Sequence, residues 1–258
     1  MTHWKDLHLV VVDTETTGLD AKTERVIEVG IIHFEGGQVV DRYGTLIDPG
    51  VPIPSEVVTL TGIKDEDVAG QPRFADVAAE VHRRLSLGVI VGYNLAFDRG
   101  FLVAELERVG LSWPDRPCLD PLILVRELHR NQGSKKLGVA AARMGITLEE
   151  AHRATADAEV AGLVLLELAA RYGERLPPGL DDLLVLQAHW EQQQAAEQAG
   201  WRRNRGRGEA ELLGATAGPA LTVDDDGLPA LGPAYIYGDD PDPMRALFAG
   251  LPDIGARR

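Results

Sequence analysis

The first apolar run of the chain closes on two carboxylates. In VVVDTETTGLD, Val10 to Asp20, Asp13 and Glu15 stand one residue apart. Side chains alternate across an extended strand with period two, so the pair points to one side if the extended geometry continues. Two carboxylates held close repel each other and lose hydration. A fold tolerates this when a cation lies between them, and hard divalent ions such as Mg²⁺ take oxygen ligands of this kind. The competing reading is a strand that leaves the core and turns polar in a solvated loop, where Asp, Thr and Gly are common. On this stretch alone the two readings are evenly matched, and further ligands must come from elsewhere in the chain.

YNLAFDRGF supplies Asp98 at the start of a predicted helix that follows a strand. AHRATADAE supplies His152 and, in the first turn of the last long helix of the domain, Asp157. The helix dipole favours an acid at either position, which is the ordinary reason for an aspartate there. A lone histidine is more often a surface residue than a catalyst. Taken singly each feature is unremarkable in chemistry, but their order is not: an acidic pair, a third acid after a later strand, and a histidine five residues before a fourth acid.

On those residues the chain resembles the DnaQ-like, or DEDDh, family of 3′–5′ exonucleases. The matching motifs are DTETTG (Asp13–Gly18), NLAFD (Asn94–Asp98) and HRATADA (His152–Ala158). LTGI (Leu60–Ile63) and KLGVAAARMGI (Lys136–Ile146) fit the intervening pattern, and the resemblance runs from Leu7 to Arg171. Three ordered motifs are far more specific than one. One departure is visible: family members often carry His before the Asn of the second motif, where this chain has Tyr93. Tyrosine keeps a ring and a hydrogen-bonding tip, so altered substrate contact rather than lost chemistry is expected.

The resemblance implies an α/β, RNase H-like fold, a mixed five-stranded sheet flanked by helices, with the acids gathered at one end of the sheet. It implies phosphodiester hydrolysis with two divalent ions, Mg²⁺ or Mn²⁺, about 3.5–4 Å apart. Asp13 would bridge both ions, Glu15 and Asp157 would complete the site of the ion holding the attacking water, and Asp98 would support the second. His152 would be the general base, since an ordinary imidazole accepts a proton near neutral pH. The loop holding Thr14, Thr16 and Leu19 would seat the terminal nucleotide of a 3′ end. Leu60 would pack on the last bases, and Tyr93, Asn94 and Phe97 would border the base or sugar. Plain core packing is an equal reading for Leu60 and Phe97.

The elements that must position these groups are legible as patterns. Leu7–Val12 reads as a buried strand. Arg25–Phe34 and Gln38–Ile47 read as a hairpin about the turn Glu35–Gly37. Phe74–Leu85 and Phe97–Val109 have helical spacing, with the short strand Val89–Tyr93 between them. Cys118–Leu119 is a short extended piece, followed by helical patterns at Pro121–Arg130, Leu137–Met144 and Thr155–Tyr172. Strands first, then strands alternating with helices, predict a mixed sheet covered by helices. Residues 1–175 are expected to form the domain, and residues 176–258 a C-terminal helix, Leu180–Arg203, followed by a flexible Gly/Pro/Asp-rich tail.

Net charge bounds the partners. Residues 1–175 hold 19 Lys+Arg against 27 Asp+Glu, and residues 176–258 hold 7 against 13, so neither part has the basic footprint of most nucleic-acid binders. Metal ions would offset several of the acids, and nucleic acid would be held locally or delivered by a partner. WRRNRGRG (Trp201–Gly208) is the one basic cluster; it suits a solvated helix end better than a contact to a phosphate backbone. MRALF (Met244–Phe248) resembles the Leu-Phe-ended peptides that dock on sliding clamps, without their leading Gln. Any DNA polymerase partner is expected on a separate chain. The single cysteine, Cys118, excludes an intrachain disulfide and a cysteine metal cluster, and fits a cytoplasmic setting. No apolar run is long enough for a bilayer, so no membrane partner is expected. Three readings remain: an exonuclease on single-stranded DNA in proofreading or repair, the same chemistry on RNA, and a non-catalytic binding module. The presence of all five residues, Asp13, Glu15, Asp98, His152 and Asp157, argues against the last.

Overall fold

β1 (Leu9–Thr16) runs four residues past the apolar stretch that predicts it and takes both carboxylates into the sheet. The reason is long-range pairing. β2 (Val26–Glu35) lies antiparallel along its whole length, with Asp13 opposite Gly30 and Glu15 opposite Glu28. β3 (Gln38–Leu46) folds back on β2 through Gly36 and Gly37, at φ +55° and +76°. Positive φ at both turn residues matches the twist of a tight hairpin, and glycine adopts it without strain. β4 (Val89–Val91) and β5 (Cys118–Leu119) add in parallel on the other side of β1, giving the order β3-β2-β1-β4-β5. The mixed five-stranded sheet flanked by helices is thus as the sequence predicts. The computed structural model describes residues 2–147 and 152–213, with only the helical backbone over 201–213.

The helices are α1 (Ser55–Thr61), α2 (Asp65–Val68), α3 (Phe74–Leu85), α4 (Leu95–Arg108), α5 (Pro121–Leu128), α6 (Leu137–Arg143), α7 (Ala154–Arg171) and α8 (Leu180–Leu213). α2 is absent from the sequence reading. It is a single turn, fixed locally by the Lys64 N–H donating to the Asp67 carboxylate at 2.9 Å. Strand alternation divides the core. Val10 and Val12 of β1 face α3 and α4, among Phe74, Val81, Phe101 and Leu102. Leu9 and Val11 face the other way, among Val164, Leu165 and Leu168 of α7 and Leu124 of α5. Asp13 and Glu15 continue that second series toward α7.

The first half of α8 is seated on the sheet edge. Leu183 and Trp190 join the α5–α7 cluster, and each such buried side chain contributes about 1.5–3 kcal/mol relative to exposure. Gln187 lies along β5: its Oε1 accepts from the Asp120 N–H at 2.8 Å and its Nε2 donates to the Cys118 carbonyl at 3.2 Å. The approach to α8 is held too, since Trp4 donates its backbone N–H to the Pro178 carbonyl at 3.0 Å and its indole N–H to the Pro177 carbonyl at 2.9 Å. α8 continues past Arg203 to Leu213, so the Trp201–Gly208 cluster lies on helical backbone. The Gly/Pro/Asp-rich tail from residue 214 and the Met244–Phe248 motif lie outside the described residues. Among the described residues no helix is long and apolar enough to cross a membrane.

Candidate active site

The acids arrive from three elements. β1 brings Asp13 and Glu15, the first turn of α4 brings Asp98, and the first turn of α7 brings Asp157. Ligand atoms of Glu15, His152 and Asp157 all lie within 4.8 Å of one another. Asp13 and Asp98 stand outside that trio, and the Asp98 carboxyl lies close enough to raise the proton affinity of Asp13.

Asp98 is buried, at 3% exposure, and one carboxylate oxygen accepts both the Thr14 backbone N–H and the Thr14 hydroxyl, each at 2.8 Å. The sequence reading gives Thr14 to the substrate; in the structure its polar groups engage Asp98. α4 begins at Asn94, a non-glycine residue at φ +70°. Its N-terminus is held by Asp120, whose carboxylate accepts from the N–H groups of Asn94 at 2.9 Å, Leu95 at 3.1 Å and Leu122 at 2.9 Å. Asp120 is a residue that sequence reasoning missed. The signal was present in CLDPL, where Asp before Pro marks a helix start. Its second duty, across to α4, is a product of the fold.

Asp157 is half-buried and accepts the His152 backbone N–H at 2.9 Å. His152 has φ +64° and is an exposed residue whose imidazole is partly withdrawn from water. Glu28 is the other missed residue. Its buried carboxylate accepts from Arg153, and it faces Glu15 across the β1–β2 ladder.

The electrostatics follow from this crowding. Burial, then the neighbouring carboxylates, hold Asp13 and Glu15 well above the usual carboxylate range. For Asp13 the neighbours are Asp98, Asp157, Glu15 and Glu28 in decreasing order; Arg153 acts in the opposite direction on Glu15 but is itself paired with Glu28. Burial lifts Asp98 to about 7 against the lowering bonds from Thr14, and lifts Asp157 to about 6 with Glu28 adding to it. Loss of hydration, with the Lys136 ammonium, holds the His152 imidazole below its ordinary value. It is therefore neutral at neutral pH and able to accept a proton.

The remaining candidates are dispersed in role. Thr16 is buried and donates its hydroxyl to the Gly18 carbonyl at 2.6 Å. Leu19 and Leu60 are half-buried on the loop after β1 and on α1. Tyr93 packs against the α5–α7 cluster and donates its hydroxyl to the Lys135 carbonyl. Phe97 packs on Phe101, with ring centroids 5.0 Å apart.

A sheet of this order with acids converging from β1, α4 and α7 defines a nuclease-like centre, and comparison with known proteins agrees. Residues 10–165 match the RNase_T family, described as exonuclease, and the chain belongs to that family. It is similar to the PolC-type DNA polymerase III of Lacticaseibacillus paracasei, at 39% identity over 168 residues, covering 64% of this chain and 12% of that one. It is also similar to the 3′-5′ exonuclease DinG of Bacillus subtilis, at 34% identity over 182 residues, covering 70% of this chain and 20% of that one. Among solved structures, E. coli exonuclease I in complex with a dA16 oligonucleotide shares the fold, with a TM-score of 0.60 and 21% identity over 65% of this chain and 42% of that one. The chain thus matches a fifth or less of the length of these two curated relatives. The resemblance read from the three motifs is borne out for family and fold.

Proposed function

We propose that the protein is a metal-dependent 3′–5′ exonuclease that releases nucleoside monophosphates from the 3′ end of single-stranded DNA. The observation that carries this is the trio of Glu15, His152 and Asp157, with ligand atoms within 4.8 Å of one another and Asp13 beside it. Four carboxyl groups whose proton affinity is raised by burial, and for Asp13 and Glu15 also by the neighbouring carboxylates, are a set of hard oxygen donors that fits Mg²⁺ or Mn²⁺. Asp13, Glu15, Asp98 and Asp157 would hold two such ions. When bound, the ions supply an activated water and stabilise the charge of the leaving oxygen.

The chain's own residues do the rest. His152, neutral and exposed on the rim, accepts the proton of the attacking water. The Asp157 carboxylate anchors His152 through its backbone N–H, leaving the imidazole free to turn. Thr14 fixes one Asp98 oxygen, so that the other side of the carboxylate faces a single direction. Thr16, Leu19, Leu60, Tyr93, Asn94 and Phe97 line the approach as the substrate-contact candidates. DNA is preferred over RNA because the similar PolC-type protein is a DNA polymerase and the structural relative holds a DNA oligonucleotide.

The test uses one sequence as 5′-labelled single-stranded DNA and as RNA, each with Mg²⁺, Mn²⁺ or chelator, beside Asp13→Ala. A metal-dependent ladder shortening from the 3′ end of DNA, absent in the variant, is expected. Faster shortening of RNA would move the assignment to an exoribonuclease, and no shortening of either by folded protein would leave a nucleic-acid-binding module.

A further inference from the structure

Glu28 is a fifth carboxylate beside the cluster, with none of the roles assigned above. It sits within β2 at 3% exposure, opposite Glu15 on the face that α7 covers. An acid so placed is costly unless paired and hydrogen-bonded, and Glu28 is both. Its carboxylate accepts from Arg153 Nη2 at 2.8 Å and Nε at 3.2 Å, and from the Ala154 backbone N–H at 3.0 Å. Arg153 and Ala154 directly follow His152.

A second observation fixes the same segment. Gly30 and Gly44 are register partners in β2 and β3. A Cβ on Gly30 would lie 2.3 Å from the Ala154 carbonyl carbon, and one on Gly44 would lie 2.5 Å from Thr155 Cγ2. The start of α7 therefore rests on bare sheet backbone, and Glu28 ties it down beside that seat. His152, at φ +64°, holds a conformation that a non-glycine residue keeps only where its surroundings over-determine it.

We propose that Glu28 is a positioning residue for hydrolysis: through Arg153 and Ala154 it sets where α7 begins on the sheet, and so sets the distance of His152 and Asp157 from Glu15. This rests on the exonuclease reading. Asp13 and Asp98 belong to β1 and α4, so a shift of the α7 start moves the base and one ligand away from the others together. A misplacement of about 1 Å costs on the order of 100-fold in rate.

The test compares Glu28→Ala, Glu28→Gln, Arg153→Gln and the double variant Glu28→Gln/Arg153→Gln with wild type, on labelled single-stranded DNA with Mg²⁺. Glu28→Ala should lower kcat by about 10- to 100-fold. KM should stay within about threefold, because the lost interaction acts on the reacting geometry and not on substrate binding. Glu28→Gln keeps an acceptor for the Ala154 N–H and should recover part of the rate. The double variant should be no slower than the slower single, as for two residues acting as one unit. Should Glu28→Ala fail to fold, Glu28→Gln and Arg153→Gln carry the same comparison. Unchanged kcat in both, or a rise in KM alone, overturns the proposal. An inactive wild type overturns the exonuclease reading instead, whereas an active wild type with indifferent Glu28 variants overturns this proposal alone.

Discussion

α4 and α7 enter the site by one construction used twice. Each is approached through a non-glycine residue in the left-handed region, Asn94 at φ +70° and His152 at φ +64°. Each has its first N–H group held by a carboxylate from outside the helix, Leu95 by Asp120 for α4 and Ala154 by Glu28 for α7. Each carries an aspartate in its first turn, Asp98 or Asp157. An acid in a first turn ordinarily serves its own helix's N–H groups. Here an outside carboxylate shares that work: Asp98, besides accepting its own backbone N–H, engages Thr14, and Asp157 reaches back to His152. The two entrances differ in their access to water. Asp98 is sealed at 3% exposure, while Asp157 is half-buried and His152 is exposed. On the proposed mechanism that difference is functional: a ligand gains from being fixed, and a base must pass its proton to solvent.

The largest test of this contrast is His152→Ala. Loss of a general base should lower kcat by about 10²- to 10⁴-fold. The residue is exposed, so the melting temperature should hardly move; an equal loss of folding would make His152 structural. Asp120→Ala should give the opposite signature at the sealed entrance. Buried N–H groups of Asn94 and Leu95 lose their acceptor at about 1–3 kcal/mol each. A fall in Tm of roughly 5–20 °C is expected by thermal melting, and an unchanged Tm would show that α4 does not depend on this cap.

The smallest effect is a pH dependence. Without metal, Asp98 and Asp157 keep their protons to about 7 and about 6, whereas an unfolded aspartate has lost its proton above about 3.9. Between those values the folded state binds more protons, so metal-free stability falls as pH rises through that window. Bound metal replaces the protons. The gain in Tm on adding Mg²⁺ should therefore grow by a few degrees from pH 5 to pH 8. A gain that stays constant or shrinks would separate these aspartates from the metal site.

Local pattern carried the sheet and the long helices. Phe74–Leu85 coincides with α3, and the hairpin about Gly36 and Gly37 lies where the glycines put it. What the sequence concealed depends on contacts between distant residues. β1 extends through Asp13 and Glu15 because β2 supplies the ladder, and no property of DTET announces that. The motifs made His152 and the four aspartate and glutamate candidates visible as a set, yet their separation into a close trio and two neighbours is tertiary. Glu28 had a readable signal, a single acid within the apolar run VIEVGII, but its partner Arg153 lies 125 residues away. Tyr93 has a partner that the motif did not announce: its hydroxyl donates to the Lys135 carbonyl, 42 residues away.

The side chain of Gln187 has a consequence for how the molecule keeps its own company. β5 is two residues long and forms one margin of the sheet. Such a margin is an invitation to a foreign strand, since its backbone groups seek partners. The primary amide of Gln187 answers one donor and one acceptor there, so α8 supplies a stub of a sixth strand without supplying a strand. A fragment cut at residue 175 would reopen that margin and leave the backbone amide of Asp120 searching for a neighbour. Its hazard would be self-association through the sheet, and the remedy would be to carry the chain on through Gln187.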